Sequence, residues 1–386
     1  MRIVVAMDSF KGSLTSFDAG HAVDRGIEKA WQHMFRPLPR VKVLPLADGG
    51  EGTVTALIQG LGGVYRNIKV RGPLKAQVEA IYGIITSTDG IPTAVIEMAA
   101  AAGLWLVPEK ERNPLHTTTY GVGELILHAM SKGCRNFLVG IGGSATNDGG
   151  IGMLTALGFE FRDDRGREAG VCGKDLEQIA SIRTSGKHPA LDECSFRIAC
   201  DVNNPLCGPN GAAAVFGPQK GASPDDVLKL DRGLANLADV ASKMASHHKG
   251  TRDNRDVPGA GAAGGLGYAF VQFLKGKLEP GAAMIMDAIG LEDAIRDADL
   301  VITGEGRMDE QTAMGKAPMG VARLAKKHGK KVIAFCGSID PSVSHIKEDL
   351  FDLCLAVTPP GASLELASEW LQQAVFEHFT SNRAVL

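Results

Sequence analysis

At 386 residues the chain is long enough for two or more cores, since one domain takes roughly 100 to 200 residues. Hydrophobic residues at 44% and charged residues at 22% are an ordinary globular balance, which argues against disorder. A formal net charge of -3 offers no broad attraction to a phosphate backbone, so a nucleic-acid partner is not expected.

The chain opens on MRIVVAMDSF, in which residues 2 to 7 read as a buried strand. Asp8 follows too soon for the apolar run of a signal peptide, and no later window approaches the roughly 20 apolar residues of a membrane span. A cytoplasmic protein without a membrane partner is therefore expected. From Ser16 to about Phe35, Ala19, Val23, Ile27, Ala30, Trp31 and Met34 recur at helical spacing, with Ser16 as the expected N-cap. A strand from Val41 and a helix opening at Glu51 complete a βαβα start.

The middle has a different grammar. Gln77 to Ala99 reads as two strands joined by a turn at Ser87 to Gly90, NFLVGI and FRIAC as further strands, and FEFRDDRGREAG from Phe159 as a hairpin. The polar stretch SHHKGTRDNRDVPG from Ser246 reads as an exposed connection. Strands from Asp299, Lys331 and Asp352 then alternate with helices from about Lys316 to His328 and Leu364 to Phe379. That alternation implies a parallel sheet with right-handed crossovers. The expectation is an α/β protein whose two chain ends form one doubly wound domain around a mixed α/β insertion. Seven cysteines, odd in number and without CxxC pairs, fit reduced thiols and no structural zinc site.

Chemistry concentrates where strands end. The first delivers Asp8, Ser9 and Lys11; the second DGGEGT, with Asp48 and Glu51; NFLVGI delivers Gly142 to Asp148; FRIAC delivers Asp201, followed by Asn203 and Asn204; DLVIT delivers Gly304, Glu305, Arg307 and Asp309. One acid after a strand is usually an N-cap or a turn former. Five such turns together point to ligand binding, which in open α/β sheets lies beyond the carboxyl ends of strands.

The turn GIGGSATNDGG, Gly140 to Gly150, joins glycines that let a ligand approach the backbone to Ser144, Thr146 and Asn147 as hydrogen-bonding groups. A helix starting at about Gly150 favours anions there. A Walker loop, GxxxxGK[ST], is absent from the chain. A competing reading takes Gly140, Gly142 and Ala145 as a GxGxxA fingerprint of a nicotinamide-dependent dehydrogenase, with Glu160 or Asp163 as the acid closing the next strand. PGAGAAGGLG, Pro258 to Gly267, holds a formal GxGxxG at Gly259, Gly261 and Gly264, but DNRDVP precedes it where a fingerprint needs a strand. It serves phosphate at a helix start or close helix packing.

Acids alternating with Lys11, Lys220, Arg307 and Lys316 are the mixture phosphoryl transfer asks for: carboxylates for Mg²⁺, cations for the transferred charge, and one carboxylate at the attacking hydroxyl. At these residues the sequence resembles the type-1 glycerate kinase family nearly end to end. The matching stretches are DSFKGSL, ADGGEGT, IEMAAAAGL, GIGGSATNDGG, ACDVNNPLCGPNGAA, FGPQKGA, PGAGAAGGLG and TGEGRMDEQTAMGKAP. The family's first turn reads PDSFKG, whereas Met7 precedes Asp8 here.

The resemblance implies ATP-dependent phosphorylation of glycerate with Mg²⁺, at the 2-hydroxyl rather than the 3-hydroxyl. It also implies a flavodoxin- or Rossmann-like domain of residues 1–66 and 285–386 around an inserted domain of residues 67–284. Asp201 is the candidate carboxylate at the glycerate hydroxyl, and Lys11 and Arg307 are the cations expected at the substrate carboxylate or γ-phosphate. Asp8, Ser9, Gly142, Gly143, Ser144, Thr146, Asn147, Asp148, Asn203, Asn204, Gly259, Gly261, Gly264, Gly265 and Lys316 are candidates for substrate or phosphate contact. Asp48, Glu51, Glu305 and Asp309 are candidates for Mg²⁺. Assembly of several copies is compatible with this reading, as is a non-catalytic sensor on the same fold.

Overall fold

The computed structural model describes residues 1–86, 90–246, 253–310, 317–343, 350–359 and 361–381. Residues 87–89 of the expected turn, residues 247–252 of the polar connection, and Lys316 lie outside them. In chain order the strands are β1 (Arg2–Met7), β2 (Arg40–Val43), β3 (Val64–Arg71), β4 (Gln77–Thr86), β5 (Pro92–Glu97), β6 (Asn136–Gly140), β7 (Glu160–Arg162) and β8 (Ser181–Arg183). They continue as β9 (Ser195–Ala199), β10 (Lys277–Glu279), β11 (Leu300–Gly304), β12 (Arg307–Met308), β13 (Lys331–Cys336), β14 (Ser338–Ile339) and β15 (Leu353–Ala356).

The chain divides into two compact units, one of Met1–Asp48, Thr55–Gly62 and Ala282–Leu386, the other of Gly49–Val54 and Gly63–Gly281. In the first, the sheet runs β15-β13-β11-β1-β2 with every neighbouring pair parallel. Its central strands are buried residue after residue from Ile3 to Met7 and from Leu300 to Gly304, because a parallel sheet is covered on both faces. The N-terminal strand β1 pairs with β11 some 300 residues later in the chain, Ile3 opposite Leu300 through Met7 opposite Gly304. The helices Ser16–His33 and Ala367–Ser381 share the core of this sheet, with Trp31 meeting Phe379 edge-on at 5.1 Å between ring centres. Thr15, not Ser16, caps the first helix by accepting from the Asp18 N–H; Ser16 is buried inside the first turn.

In the second unit the order is β10-β9-β6-β5-β4-β3. The strands β10, β9, β6 and β5 are parallel, and β4 and β3 add an antiparallel edge. Gln77–Thr86 and Pro92–Glu97 form the pair that their sequence announces. The edge strand β3, VYRNIKVR, was not anticipated because its side chains are mostly exposed and no apolar run marks it. The expected hairpin at Phe159 forms as a short one: the Ala169 N–H donates to the Phe161 carbonyl at 2.9 Å and the Asp163 N–H to the Arg167 carbonyl at 2.8 Å, on either side of a bridge between Arg162 and Glu168, and the Asp163 carboxylate shapes the turn by accepting from the N–H groups of Arg165 and Arg167. The strand β7 also pairs with β8, which the sequence does not announce.

The segment Gly49–Val54, expected in the first domain, packs on the second unit's sheet. A side chain on Gly140 would strike the Gly49 carbonyl, and one on Gly49 would strike Ala199, so two glycines let it cross the ends of β6 and β9.

Close packing of the first unit's helices is testable at Gly26, where an added Cβ would lie 2.6 Å from the Gln372 carbonyl oxygen and 2.8 Å from Val375 Cβ. Overpacking costs about 1–3 kcal/mol, against roughly 1 kcal/mol that alanine gains over glycine in helix propensity. Gly26→Ala is therefore expected to lower the urea midpoint with the slope unchanged; a raised midpoint would mean that the helices do not approach this closely.

Candidate active site

In the first unit, the turns after β1 and β11 line a cleft of about 300 Å³. Backbone pairing carries straight from sheet to site, for the Asp8 N–H donates to the Gly304 carbonyl at 2.9 Å, one step beyond the last register pair. The buried ring of Phe10 anchors the turn, and its carbonyl accepts from the Ser13 and Leu14 N–H groups, which leaves Lys11 exposed at the tip. Gly306 faces the Phe10 backbone at contact distance, so the two turns meet where a side chain would separate them. Seven sequence candidates come together here: Asp8, Ser9, Lys11, Asp48, Glu305, Arg307 and Asp309.

Arg307 opens β12, which pairs with β14, and its guanidinium donates to Asp340 Oδ2 at 2.9 Å. The Ser342 N–H and that guanidinium hold the Asp340 carboxyl below the usual carboxylate range. Sequence reading missed Asp340, although an acid after the KVIAFCGS strand repeats the strand-end signal used elsewhere.

Among the described residues no three His, Cys, Asp or Glu side chains form a preformed metal centre. Mg²⁺ commonly keeps waters and takes one or two carboxylates together with substrate phosphates. Asp8, Asp48, Glu305 and Asp309 line the cleft as hard oxygen donors, and such a donor set fits that mode of binding. Glu51 belongs to the other unit.

In the second unit the parallel strands β5, β6 and β9 end side by side, Glu97 opposite Gly140 and Gly140 opposite Ala199. The turn after β6 exposes Gly142 and Gly143, and the stretch after β5 clamps it: Leu104 N–H donates to the Gly143 carbonyl and Ala145 N–H to the Ala102 carbonyl, each at 2.9 Å. Asp201 and Asn203 are exposed beyond β9, Asp201 Oδ1 accepting from the Gly281 N–H at 2.9 Å. Asn204 uses its amide to hold its own loop, donating to the Asn210 carbonyl at 2.8 Å. Glu97, not singled out in the sequence, accepts from the Val54 N–H at 2.8 Å and fixes the segment carrying Glu51. Burial pushes the Glu97 carboxyl up, with Glu51 adding to the effect and the N–H groups opposing it.

A sequence model of the glycerate kinase family matches residues 3–381. The glycerate 2-kinase of Escherichia coli is 47% identical over 95% of this chain and 93% of its own length, and a glycerate kinase of Bacillus subtilis is 46% identical over 96% and 93%. A crystal structure from Salmonella typhimurium, titled for glycerate kinase 2, superposes with a TM-score of 0.89 at 42% identity, covering 100% of this chain and 99% of that one. The chain belongs to the glycerate kinase family. It is thereby a phosphotransferase.

In this member of the family, several expected contacts fall elsewhere. Thr146, Asn147 and Asp148 have no exposed surface, so they stand behind the turn, and the surface it presents is that of Gly142, Gly143 and the 8% exposed edge of Ser144. The helix after the turn, Ile151–Ala156, offers no free anion site: the Gly152 N–H donates to Asp148 and the Met153 N–H to Thr119 Oγ1. Gly259, Gly261, Gly264 and Gly265 are buried, and the space of their missing side chains is filled by protein. Gly264, at φ 68°, lies against the Thr146 carbonyl, and the Gly149 N–H donates to the Gly264 carbonyl at 2.9 Å. Close packing explains these glycines, and phosphate contact is withdrawn for them. The dinucleotide reading fails as well, because β7 pairs with β8 in a sheet separate from that of β6, and the acids Glu160 and Asp163 are engaged by Arg162 and Arg167.

Asp148 organises the turn from behind. Its carboxylate accepts from Thr119 N–H and Oγ1 at 2.8 Å each, from Gly150 N–H at 3.1 Å and from Gly152 N–H at 3.3 Å. Burial pushes its carboxyl up, and the four donors oppose that shift. Removing a buried, fully engaged carboxylate strands its donors and costs about 3–5 kcal/mol. Asp148→Ala should therefore lose that much stability by urea titration, and a loss under about 0.5 kcal/mol, the scale of a neutral surface change, would contradict the buried network.

Proposed function

We propose that the protein transfers the γ-phosphoryl group of ATP to the 2-hydroxyl of D-glycerate, giving 2-phosphoglycerate and ADP with Mg²⁺ as the metal. The observation carrying this reading is the end-to-end similarity to a protein named glycerate 2-kinase, together with the retained strand-end acids and cations. The hydroxyl oxygen forms the new bond to phosphorus, the bond from phosphorus to the ADP oxygen breaks, and the hydroxyl proton passes to a carboxylate. Asp201 takes that role: it is exposed, and one oxygen is fixed by the Gly281 N–H.

Lys11 and Arg307 balance anionic charge on glycerate or the γ-phosphoryl, where a guanidinium suits the planar fork of a carboxylate or phosphate. Asp8 and Ser9 line the same cleft and orient the ligand, and Asn203 takes a polar contact beside Asp201. Asp48, Glu305 and Asp309 would hold the Mg²⁺, which would supply charge neutralisation on the phosphate oxygens. The enzyme works in the cytoplasm, where its seven unbridged cysteines stay reduced. No described helix is long and apolar enough to cross a membrane.

Coupled ADP release with D-glycerate, followed by phosphorus NMR, is expected to give 2-phosphoglycerate; a 3-phosphoglycerate signal would reverse the regiochemistry. Asp201→Asn should lower kcat by about 10²- to 10⁴-fold with the thermal midpoint kept, the usual worth of a general base. Near-normal turnover would remove Asp201 from that role. Arg307→Ala should lower kcat/KM by about tenfold or more, as loss of a charge-assisted contact does, and an unchanged value would take Arg307 out of the site.

A further inference from the structure

Lys220, one of the cations the sequence offers for phosphoryl transfer, takes none of the roles in the proposed reaction above. It is 3% exposed and ends the short turn Pro218–Lys220, which Gly221 seats against the Arg112 backbone. Its Nζ reaches beneath the turn after β6, donating to the Thr146 carbonyl at 2.6 Å and to Ser144 Oγ at 2.7 Å. An amine nitrogen that donates to a hydroxyl oxygen leaves the hydroxyl proton to be given elsewhere. Ser144 keeps a small exposed edge beside the exposed Gly143, so that proton has somewhere to go. Among the described residues the neighbouring Thr146 Oγ1 and both polar atoms of Asn147 are buried without partners, so the side-chain bonds that hold the turn from behind come from Lys220, from Asp148 and from Thr117, whose Oγ1 donates to the Ala145 carbonyl at 3.0 Å.

Resting on the phosphotransferase reading, we propose that Lys220 is a positioning residue that aims the Ser144 hydroxyl at an anionic oxygen of the bound ligand and places positive charge behind that bond. The anion is the carboxylate of glycerate or a phosphate of the nucleotide. The two share this chemistry, and the kinetics below separate them.

Burial pushes Lys220 down to about 7, partly offset by Asp148, the charged group acting on it. Beside Asp148 the Cys172 thiol, pushed up to about 11 by burial, stays neutral and adds no competing charge near neutral pH. An ordinary lysine keeps its charge throughout this range, whereas this one changes charge near neutrality. The positive form is present at low pH and is lost as pH rises through about 7, so affinity for the anion meeting Ser144 falls with rising pH. A bound anion favours the charged form and moves that fall to higher pH.

The test uses the full chain and separate KM values for D-glycerate and ATP between pH 6 and 9, in wild type, Lys220→Met, Lys220→Arg and Ser144→Ala. Wild-type turnover of D-glycerate first establishes the kinase reading; its absence would sink that reading, and the KM comparison is made only with turnover in hand. Lys220→Met is expected to raise KM for one substrate by about ten- to a hundredfold, the reach of a charge-assisted hydrogen bond, with the other substrate's KM little changed. Ser144→Ala should raise the same KM, and combining the two should add little. A glycerate-specific rise assigns the carboxylate, and an ATP-specific rise assigns the phosphate. Lys220→Arg, whose charge does not titrate, should lose the high-pH fall in kcat/KM that wild type has. Unchanged KM values, or a uniform loss that tracks a fall in the thermal midpoint, would overturn the proposal. If Lys220→Met does not fold, the wild-type and Lys220→Arg profiles decide alone, and identical profiles would refute it.

Discussion

A buried carboxylate that collects four hydrogen-bond donors governs the turn after β6 in the second unit. Asp148 draws one threonine from the chain before the helix Tyr120–Ser131 and two glycine N–H groups from the start of Ile151–Ala156 onto a single point. Water has no access there, so the donors have no alternative partner and the carboxylate cannot be traded for a neutral residue without stranding them. The geometry of the exposed glycines 142 and 143 follows, since the turn that carries them is pinned a few residues downstream. Gly264 completes the arrangement by letting another backbone lie directly on Thr146.

This explains which features the sequence disclosed. Parallel strands are continuous apolar runs, and the residue that ends such a run stands at the ligand edge by the topology of the sheet. Asp8, Glu305 and Asp201 were therefore legible as strand-end residues, and so was the pairing of the two chain ends in one sheet, because β1 and β11 carry the same signature nearly 300 residues apart. The short strand β10 and the polar edge strand β3 carry no such run and passed unnoticed.

Depth was the harder quantity to read. Ser144, Thr146, Asn147 and Asp148 are all polar and adjacent, and nothing in their order separates the residue with a surface from the three without one. That separation is made by distant segments, Thr119 and Lys220 among them, which arrive through tertiary contacts. The glycines of Pro258 to Gly267 show the same difficulty. A phosphate and a packed backbone both demand the absence of a Cβ, so glycine spacing alone cannot distinguish them; the left-handed Gly264 and Gly265, seated against the Thr146 to Gly149 backbone, decide for packing.

The cations divide along the same line of depth, with consequences for how they act. The Arg307 side chain is 65% exposed and already paired with Asp340, so in the free protein its charge is screened by water and salt. Its influence grows when a ligand displaces that water and lowers the local dielectric. Lys220 meets the opposite condition, because its surroundings are dry beforehand, which makes its field strong at short range but its charge costly to keep. In the roles proposed above, the arginine gains from ligand binding through desolvation and the lysine through recovery of its proton. The two kinds of cation are then told apart by that difference, since added salt is expected to weaken the first and rising pH the second.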